Sequence, residues 1–332
     1  MNRRQDMNID NRMTRRASLK LMGAGAAVMG APALHAQAFP NRPIRIIVPS
    51  GPGGGADTFA RLMSIAAARE LGQSLVIENV PGAGGIVGAD RVVRAPKDGY
   101  TVLWGLNPIF TMIPALGTSM PFAPADLQPV CTLISNAYVW VARADFPANN
   151  AKELIALAKA SPGKFSYAST GNGSAAHLGG ALLEQEAGIS MLHVPFKGTG
   201  IAEVMGGQVD LKMEPLGSAV SLIQGGKLKA LAVTSRQVLA PLPNVRPLLE
   251  VVPGYEVEGW HSVWVAAGTP PAIVETLRKG FTAAIATPDM RGRVEQTGSN
   301  VYLLGAAETT ALAAKELDVW KKLIVAKKIV AE

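Results

Sequence analysis

Two hydrophobic periods alternate along the chain, each change of period marked by glycine. Residues 44–49, Ile-Arg-Ile-Ile-Val-Pro, form an apolar run of strand length, and a glycine-rich turn over 50–55 follows. From Asp57 to Leu71, apolar residues Phe59, Leu62, Met63, Ala66 and Leu71 recur at helical spacing until Gly72 stops the pattern. Residues 74–78 predict a second strand, 81–85 a second glycine-rich turn, and 101–104 a third strand. Strand, glycine turn, helix, repeated, is the signature of a parallel sheet covered by helices.

The theme returns in the middle of the chain. Asn149 or Asn150 caps a helix over 151–160, which Pro162-Gly163 ends. Strands are expected near 165–169, 191–195, 209–213 and 229–234. The proline-rich stretch 240–247 reads as a surface loop, and 263–266 as a short strand. Helices then begin at Thr269-Pro270-Pro271 and at Thr287-Pro288, where proline suits the first turn, and an amphipathic helix covers 307–327. The economical fold is two α/β lobes with a cleft between them. Lobe 1 is 39–140 plus 260–332, lobe 2 is 141–259, and the chain crosses near 135–145 and 255–265.

Composition changes the picture mainly through the N-terminus. The chain has 332 residues, a formal net charge of +7 and one cysteine. With 48% hydrophobic residues it has enough apolar surface to fold, and one cysteine excludes a disulfide framework or a cysteine-cluster zinc site. Arg12, Arg15, Arg16 and Lys20 precede an uncharged run over 21–34, which ends in small residues with cleavage-type sites at Ala36 and Ala38. This is the layout of an export signal over 1–38. Arg15-Arg16 followed by Leu19-Lys20 resembles a twin-arginine signal, with an ordinary Sec signal as the alternative; either places the mature protein in the periplasm. Six basic and two acidic residues lie in 1–38, so the mature chain keeps 7 − 4 = +3. A charge that small, with no basic stripe outside the last helix, excludes nucleic acid as the expected partner.

The candidate chemistry lies in the glycine turns. Gly51-Pro52-Gly53-Gly54-Gly55-Ala56-Asp57 joins a strand to a helix, Pro81-Gly82-Ala83-Gly84-Gly85 repeats the arrangement, and Thr170-Gly171-Asn172-Gly173-Ser174 does so in lobe 2. Glycine lets backbone N–H groups approach a ligand, and a helix N-terminus adds partial positive charge, so such turns hold an anion without arginine. Three of them at strand C-terminal ends face a shared cleft. Gly51, Gly53 and Ala56 with Glu78 also match a dinucleotide-binding fingerprint, but Pro52 within the loop and the export signal argue against that cofactor. No nucleophile elbow, zinc-protease motif or P-loop occurs, and the histidines lack metal-ligand spacing. No cofactor, metal or catalytic residue is therefore expected. His177 falls one turn inside a helix, where it either faces the cleft or is structural. Cys131 reads as a buried thiol, and Trp260, beside a crossing, as a core or cleft residue.

These motifs, in order along the mature chain, resemble the Bug family of periplasmic solute-binding proteins of tripartite tricarboxylate transporters. The resemblance rests on 43–49 with Gly53–Asp57, on Glu78-Asn79-Val80-Pro81-Gly82-Ala83-Gly84-Gly85, on Asp98-Gly99-Tyr100-Thr101 and on Tyr167 to Ser174. His193-Val194-Pro195-Phe196-Lys197-Gly198, Gly207-Gln208-Val209-Asp210 and Leu231-Ala232-Val233-Thr234 complete it. It implies a Venus-flytrap protein, not an enzyme, that closes on a small organic carboxylate and delivers it, as a monomer, to the membrane subunits of a permease. Carried over residue by residue, Gly53, Gly54, Gly55, Asp57, Ala83, Gly84 and Gly85 bind from lobe 1. Ser169, Thr170, Gly171 and Asn172 bind from lobe 2, and Phe196, Lys197, Thr199 and Glu214 line the distal end; His177 joins them by its position in the helix, if it faces the cleft. Lys212 and Trp260-His261-Ser262 depart from the family pattern, so the resemblance does not carry the identity of the carboxylate. An exported enzyme acting on a carboxylate, or a ligand-sensing partner of a membrane signalling protein, are the alternatives.

Overall fold

Helix starts and stops follow the local signals. In the computed structural model, which describes residues 39–330, β1 (Ile44–Val48) leads into α1 (Gly55–Leu71), then β2 (Leu75–Asn79), α2 (Ile86–Val93), β3 (Thr101–Leu106) and two short helices, α3 (Asn107–Phe110) and α4 (Met112–Ala115). Strand β4 (Leu127–Arg143) opens the middle of the chain. It is followed by α5 (Ala151–Ala160), β5 (Ser166–Ser169), α6 (Ala175–Ala187), β6 (Leu192–Pro195), α7 (Ile201–Met205), β7 (Leu211–Pro215), α8 (Leu216–Gln224) and β8 (Leu228–Val233). The chain closes with β9 (Glu258–Ala266), α9 (Pro271–Ala286), α10 (Pro288–Gln296), β10 (Ser299–Leu304) and α11 (Ala306–Lys327). The expected export signal, 1–38, lies outside the described residues.

The caps are the residues the sequence offers. The Asn150 side chain accepts the Glu153 N–H, the Thr287 hydroxyl accepts the Met290 N–H ahead of Pro288, and the Ser174 hydroxyl accepts the His177 N–H. Each satisfies one of the donors that a helix N-terminus otherwise leaves unpaired.

One sheet of ten strands runs β2-β1-β3-β9-β4-β7-β5-β6, with β8 and β10 also on β4. It divides into two α/β lobes at β4. The first part of β4 pairs antiparallel with β9 and β10, and its last residues, from Tyr138 on, pair with β7 and β8. On one side β1 is parallel to β2 and β3; on the other β5 is parallel to β6 and β7. The described residues form one compact unit. Helix α11 packs on β4 and touches α4 on one side and α6 on the other, so it bridges the lobes.

Sequence periodicity missed β4 for a physical reason. Most of its 17 residues are buried, so it shows no alternation of polar and apolar positions. Pro129 would also argue against a central strand, but it sits at a register shift, where the ladder is already interrupted. Strand β9 starts at Glu258, earlier than its apolar signal at 263, because His261 and Ser262 are buried polar residues within it.

Each departure from the family pattern finds a partner in the core. The Trp104 indole N–H donates to His261 Nδ1 at 2.8 Å, and the Phe59 ring meets that imidazole edge-on at 5.2 Å. Burial lowers His261 to about 4, so it stays neutral as an acceptor. Lys212 forms a buried ion pair with Glu214, two residues along β7 and on the same face of the strand. Ser218 Oγ donates to the other Glu214 oxygen at 2.7 Å. Cys131 is fully buried, and burial pushes its thiol up to about 12, which leaves it an inert packing group.

Candidate functional site

Backbone geometry explains why the second glycine turn has its composition. Ala83, Gly84 and Gly85 all have positive φ (46°, 66° and 105°), and helix α2 begins immediately afterwards. A Cβ on Gly84 would sit 2.9 Å from Ile113 Cδ1, and one on Gly85 would sit 2.8 Å from Ile109 Cδ1 and 3.2 Å from Pro49. The turn is thus folded against α3, α4 and the end of β1, and larger residues there would force it away. Gly85 N–H returns to Gly82 O at 2.9 Å, and Ile86 N–H to Ala83 O.

The first glycine turn is held by a carboxylate. Asp57 is buried; its Oδ2 accepts the Gly53 N–H at 2.9 Å and the Arg61 guanidinium at 2.9 Å, and its Oδ1 accepts the Asn79 amide at 2.9 Å. Asn79 also donates to Ser50 O, which ties this turn to the end of β2. The Arg61 hydrogen bond and the Gly53 amide hold the Asp57 carboxyl at about 2. Its oxygens are spent on the loop, so Asp57 shapes the turn, while Gly53, Gly54 and Gly55 stand exposed on it.

Lobe 2 braces its turn with side chains. Ser169, fully buried, takes the Gly171 N–H on its hydroxyl at 3.1 Å and lies 2.6 Å from His193 Nε2. His193 stacks on His177 with ring centroids 3.8 Å apart and an interplanar angle of 2°. His177 Nδ1 in turn accepts the Gly173 N–H at 3.0 Å. Burial, and secondarily the neighbouring His177, lowers His193 to about 4; burial lowers His177 as well. Two neutral, stacked imidazoles therefore hold the turn 169–173 from beneath. The Ser169–His193 contact resembles a nucleophile and its base, but the serine is buried and its oxygen already accepts a backbone amide.

A cavity of about 580 Å³ brings the second and third turns together. Ala83, Gly84 and Ile86 contribute from one lobe, and Thr170, Asn172, Gly173, Ser174 and Ala175 from the other. The N-termini of α2 and α6 both lie in its lining, so the partial positive charges of two helices meet there. None of its lining residues carries a charge. The rest of the wall is apolar, from Pro108, Met112, Ile113 and Leu116, with Thr118 at its edge. A Cβ on Gly173 would come within 2.6 Å of Leu116, which shows how closely lobe 2 approaches α4 there.

Of the expected site residues, Ala83, Gly84, Thr170 and Asn172 line this cavity. Gly85, Ser169, Gly171 and His177 stand behind it and support it. Gly53, Gly54, Gly55 and Asp57 belong to the neighbouring turn and are not in the lining. Phe196 is half-buried against Gly200, Lys197 and Thr199 are exposed, and Glu214 is committed to Lys212 and Ser218; none of the four is in the lining. Sequence reasoning missed the apolar wall over 108–116. The segment Asn107-Pro108-Ile109-Phe110 followed by a second short helix gives no sustained period, and only its tertiary contacts with Gly84, Gly85 and Gly173 assign it to the site.

Two α/β lobes joined through shared strands, with a cavity between helix N-termini from both, define a solute-binding protein. The chain matches the family described as tripartite tricarboxylate transporter family receptor over residues 59–329, and it belongs to that family. It is 38% identical over 275 residues to a UPF0065 protein of Bordetella pertussis, covering 81% of this chain and 84% of that one. It is similar to the structure of the periplasmic binding protein BugD, with 33% identity, a TM-score of 0.72, and 89% of this chain and all of that one covered. It is also similar to MatC of Rhodopseudomonas palustris with bound malate, with 30% identity, a TM-score of 0.71, and 86% of this chain and all of that one covered. No helix among the described residues is long and apolar enough to cross a membrane.

Proposed function

We propose that this protein is an exported, non-catalytic receptor that captures a small organic carboxylate and presents it to the membrane subunits of a tripartite tricarboxylate-type transporter. One observation carries the reading: two helix N-termini, from different lobes, line one cavity that holds no charged side chain. Backbone amides and hydroxyls are what remains to neutralise an anion there, and they suit a carboxylate. The likeness to MatC, whose structure holds malate, supports the same ligand class. The apolar wall from Pro108 to Leu116 would take the carbon body of the ligand.

Capture is by closure of lobe 2 (141–259) onto lobe 1 (39–140 plus 260–332), with β4 and β9 as the flexing connections. The receptor acts as a monomer in the periplasm, after export by a twin-arginine or Sec signal cleaved near Ala36 or Ala38. The test is isothermal titration of the mature protein with malate, succinate, adipate, citrate and benzoate. At least one should bind, and its binding should raise the melting temperature by mass action. No heat and no thermal shift with any carboxylate would overturn the proposal.

A further inference from the structure

A second cavity, of about 320 Å³, lies beneath α11 and shares no lining residue with the first. Its walls are aromatic and apolar: Tyr255, Trp260, Tyr302 and Trp320, with Leu312 and Val319 from the helix. Three carboxyls, Glu256, Glu258 on β9 and Glu316 on α11, also line it, with Arg236 and Lys315. Glu316 Oε1 accepts the Trp260 indole N–H at 2.8 Å, while Glu316 Oε2 is buried and has no partner. Trp320 is only 2% exposed, and its indole N–H has no partner either. These two unsatisfied atoms lie beside the cavity and are closed off from its space, so the groups that face an occupant are the ring surfaces and the accessible carboxyl atoms.

We propose that this cavity is a binding site for a small organic cation, an ammonium group on an apolar body. Four aromatic side chains in the lining suit a cation, and the half-buried carboxyls of Glu258 and Glu316 supply its counter-charge. The local cations are engaged mainly elsewhere: Arg236 and Lys315 both pair with Glu256, at 2.7 and 2.9 Å, and their charges reach Glu258 and Glu316 only as a weaker attraction than the burial that opposes it. A metal ion fits poorly, since no group of three metal-ligating side chains occurs among the described residues.

The charge state of Glu316 gives the site a pH dependence. Burial raises its carboxyl to about 7, and burial also raises Glu258. The groups facing Glu316 are Trp260 and Glu258 from β9, Asn107 from α3, Tyr138 from β4, Tyr302 from β10 and Lys315 on its own helix. The tyrosines are raised by burial and stay neutral near pH 7, so Glu316 dominates the response there. An ammonium group favours the ionised carboxylate, so binding is tighter above pH 7 and releases a proton below it.

The experiment is isothermal titration with phenethylamine at pH 8 and pH 6, with 2-phenylethanol as the uncharged match in shape. Phenethylamine should bind at pH 8 and weaken by about tenfold at pH 6, where Glu316 is mostly protonated. Glu316→Gln, which keeps the shape and the Trp260 contact, should weaken binding at pH 8 by a similar factor and remove the pH dependence. Equal binding of 2-phenylethanol, no detectable phenethylamine binding, or unchanged phenethylamine affinity in a folded Glu316→Gln would each overturn the proposal. None of these readouts depends on the carboxylate cavity.

Discussion

The two cavities are built on opposite electrostatic plans. The one between the turns has no charged side chain in its wall; its polarity comes from hydroxyls, an amide and two helix N-termini. The one beneath α11 has carboxyls at Glu256, Glu258 and Glu316 against cations at Arg236 and Lys315, and its orphan atoms sit among aromatic rings. The difference shows how one protein can favour an anion at one place and a cation at another. Backbone dipoles are fixed by the fold and cannot be protonated away, so a carboxylate held by them is insensitive to pH over the neutral range. Half-buried carboxyls are the reverse, because burial moves their titration towards neutrality.

The charges nearest the first cavity act on the protein itself. Asp57 is spent on its own loop, and Glu214 on Lys212 and Ser218. Burying an ion pair seldom adds stability, whereas removing one partner leaves an uncompensated charge. Lys212 and Glu214 therefore read as mutually required, and neither is available to discriminate ligands.

The strongest way to break the comparison is to displace the backbone that the first cavity depends on. Gly84→Val adds a side chain at a positive φ and against Ile113. It should weaken carboxylate binding by at least about 100-fold, some 2.7 kcal/mol, measured by titration on a variant whose fold is checked by circular dichroism. Phenethylamine binding beneath α11 should be unchanged; losing both together would mean that the two cavities are not independent.

A smaller effect is expected from the imidazole stack that braces the lobe 2 turn. Both His177 and His193 bind protons more weakly in the folded protein than in the unfolded chain, His193 at about 4 against an ordinary value near 6.5. The unfolded chain therefore takes up protons first, and stability falls as pH drops below about 6.5, continuing down to about 4. Taken as the difference in urea midpoint between wild type and His193→Gln, both ligand-free, the contribution of the stack should fall by on the order of 1 kcal/mol between pH 7 and 5, allowing for solvent screening of half-exposed rings, while buried His261 and Glu316 titrate alike in both proteins and cancel. A difference between the two proteins that does not change with pH would show that the stack contributes nothing to it.

The smallest effect sharpens the contrast directly. Thr118 is exposed at the edge of the charge-free cavity. Thr118→Lys should tighten carboxylate binding by only about two- to fivefold, the scale of an exposed ion pair, and the gain should vanish at high salt. Wild-type affinity should be nearly salt-independent. A strong salt dependence in the wild type would show that a charged side chain already contributes.

Much of the fold was legible because its determinants are local. The helix over 151–160 with Asn150 as cap, the proline-led starts at 271 and 288 and the strand–turn–helix units around Gly53 and Gly84 follow from capping, backbone and periodicity rules acting over a few residues. The same reach of the backbone brings two of the three expected glycine turns into the lining of one cavity, with no arginine beside them. Tertiary structure decided the rest. Strand β4 is visible only once its neighbours bury both faces, and Pro129 is tolerated only because the register shifts beside it. Asp57, Ser169, His177 and Glu214 look like ligand groups in a sequence, but each finds a nearer partner inside the protein. The cavity beneath α11 draws on residues from 135 to 320, and no local pattern could have assembled it. Sequence determines which groups a chain carries; which of them remain free to meet a ligand depends on partners far away along the chain.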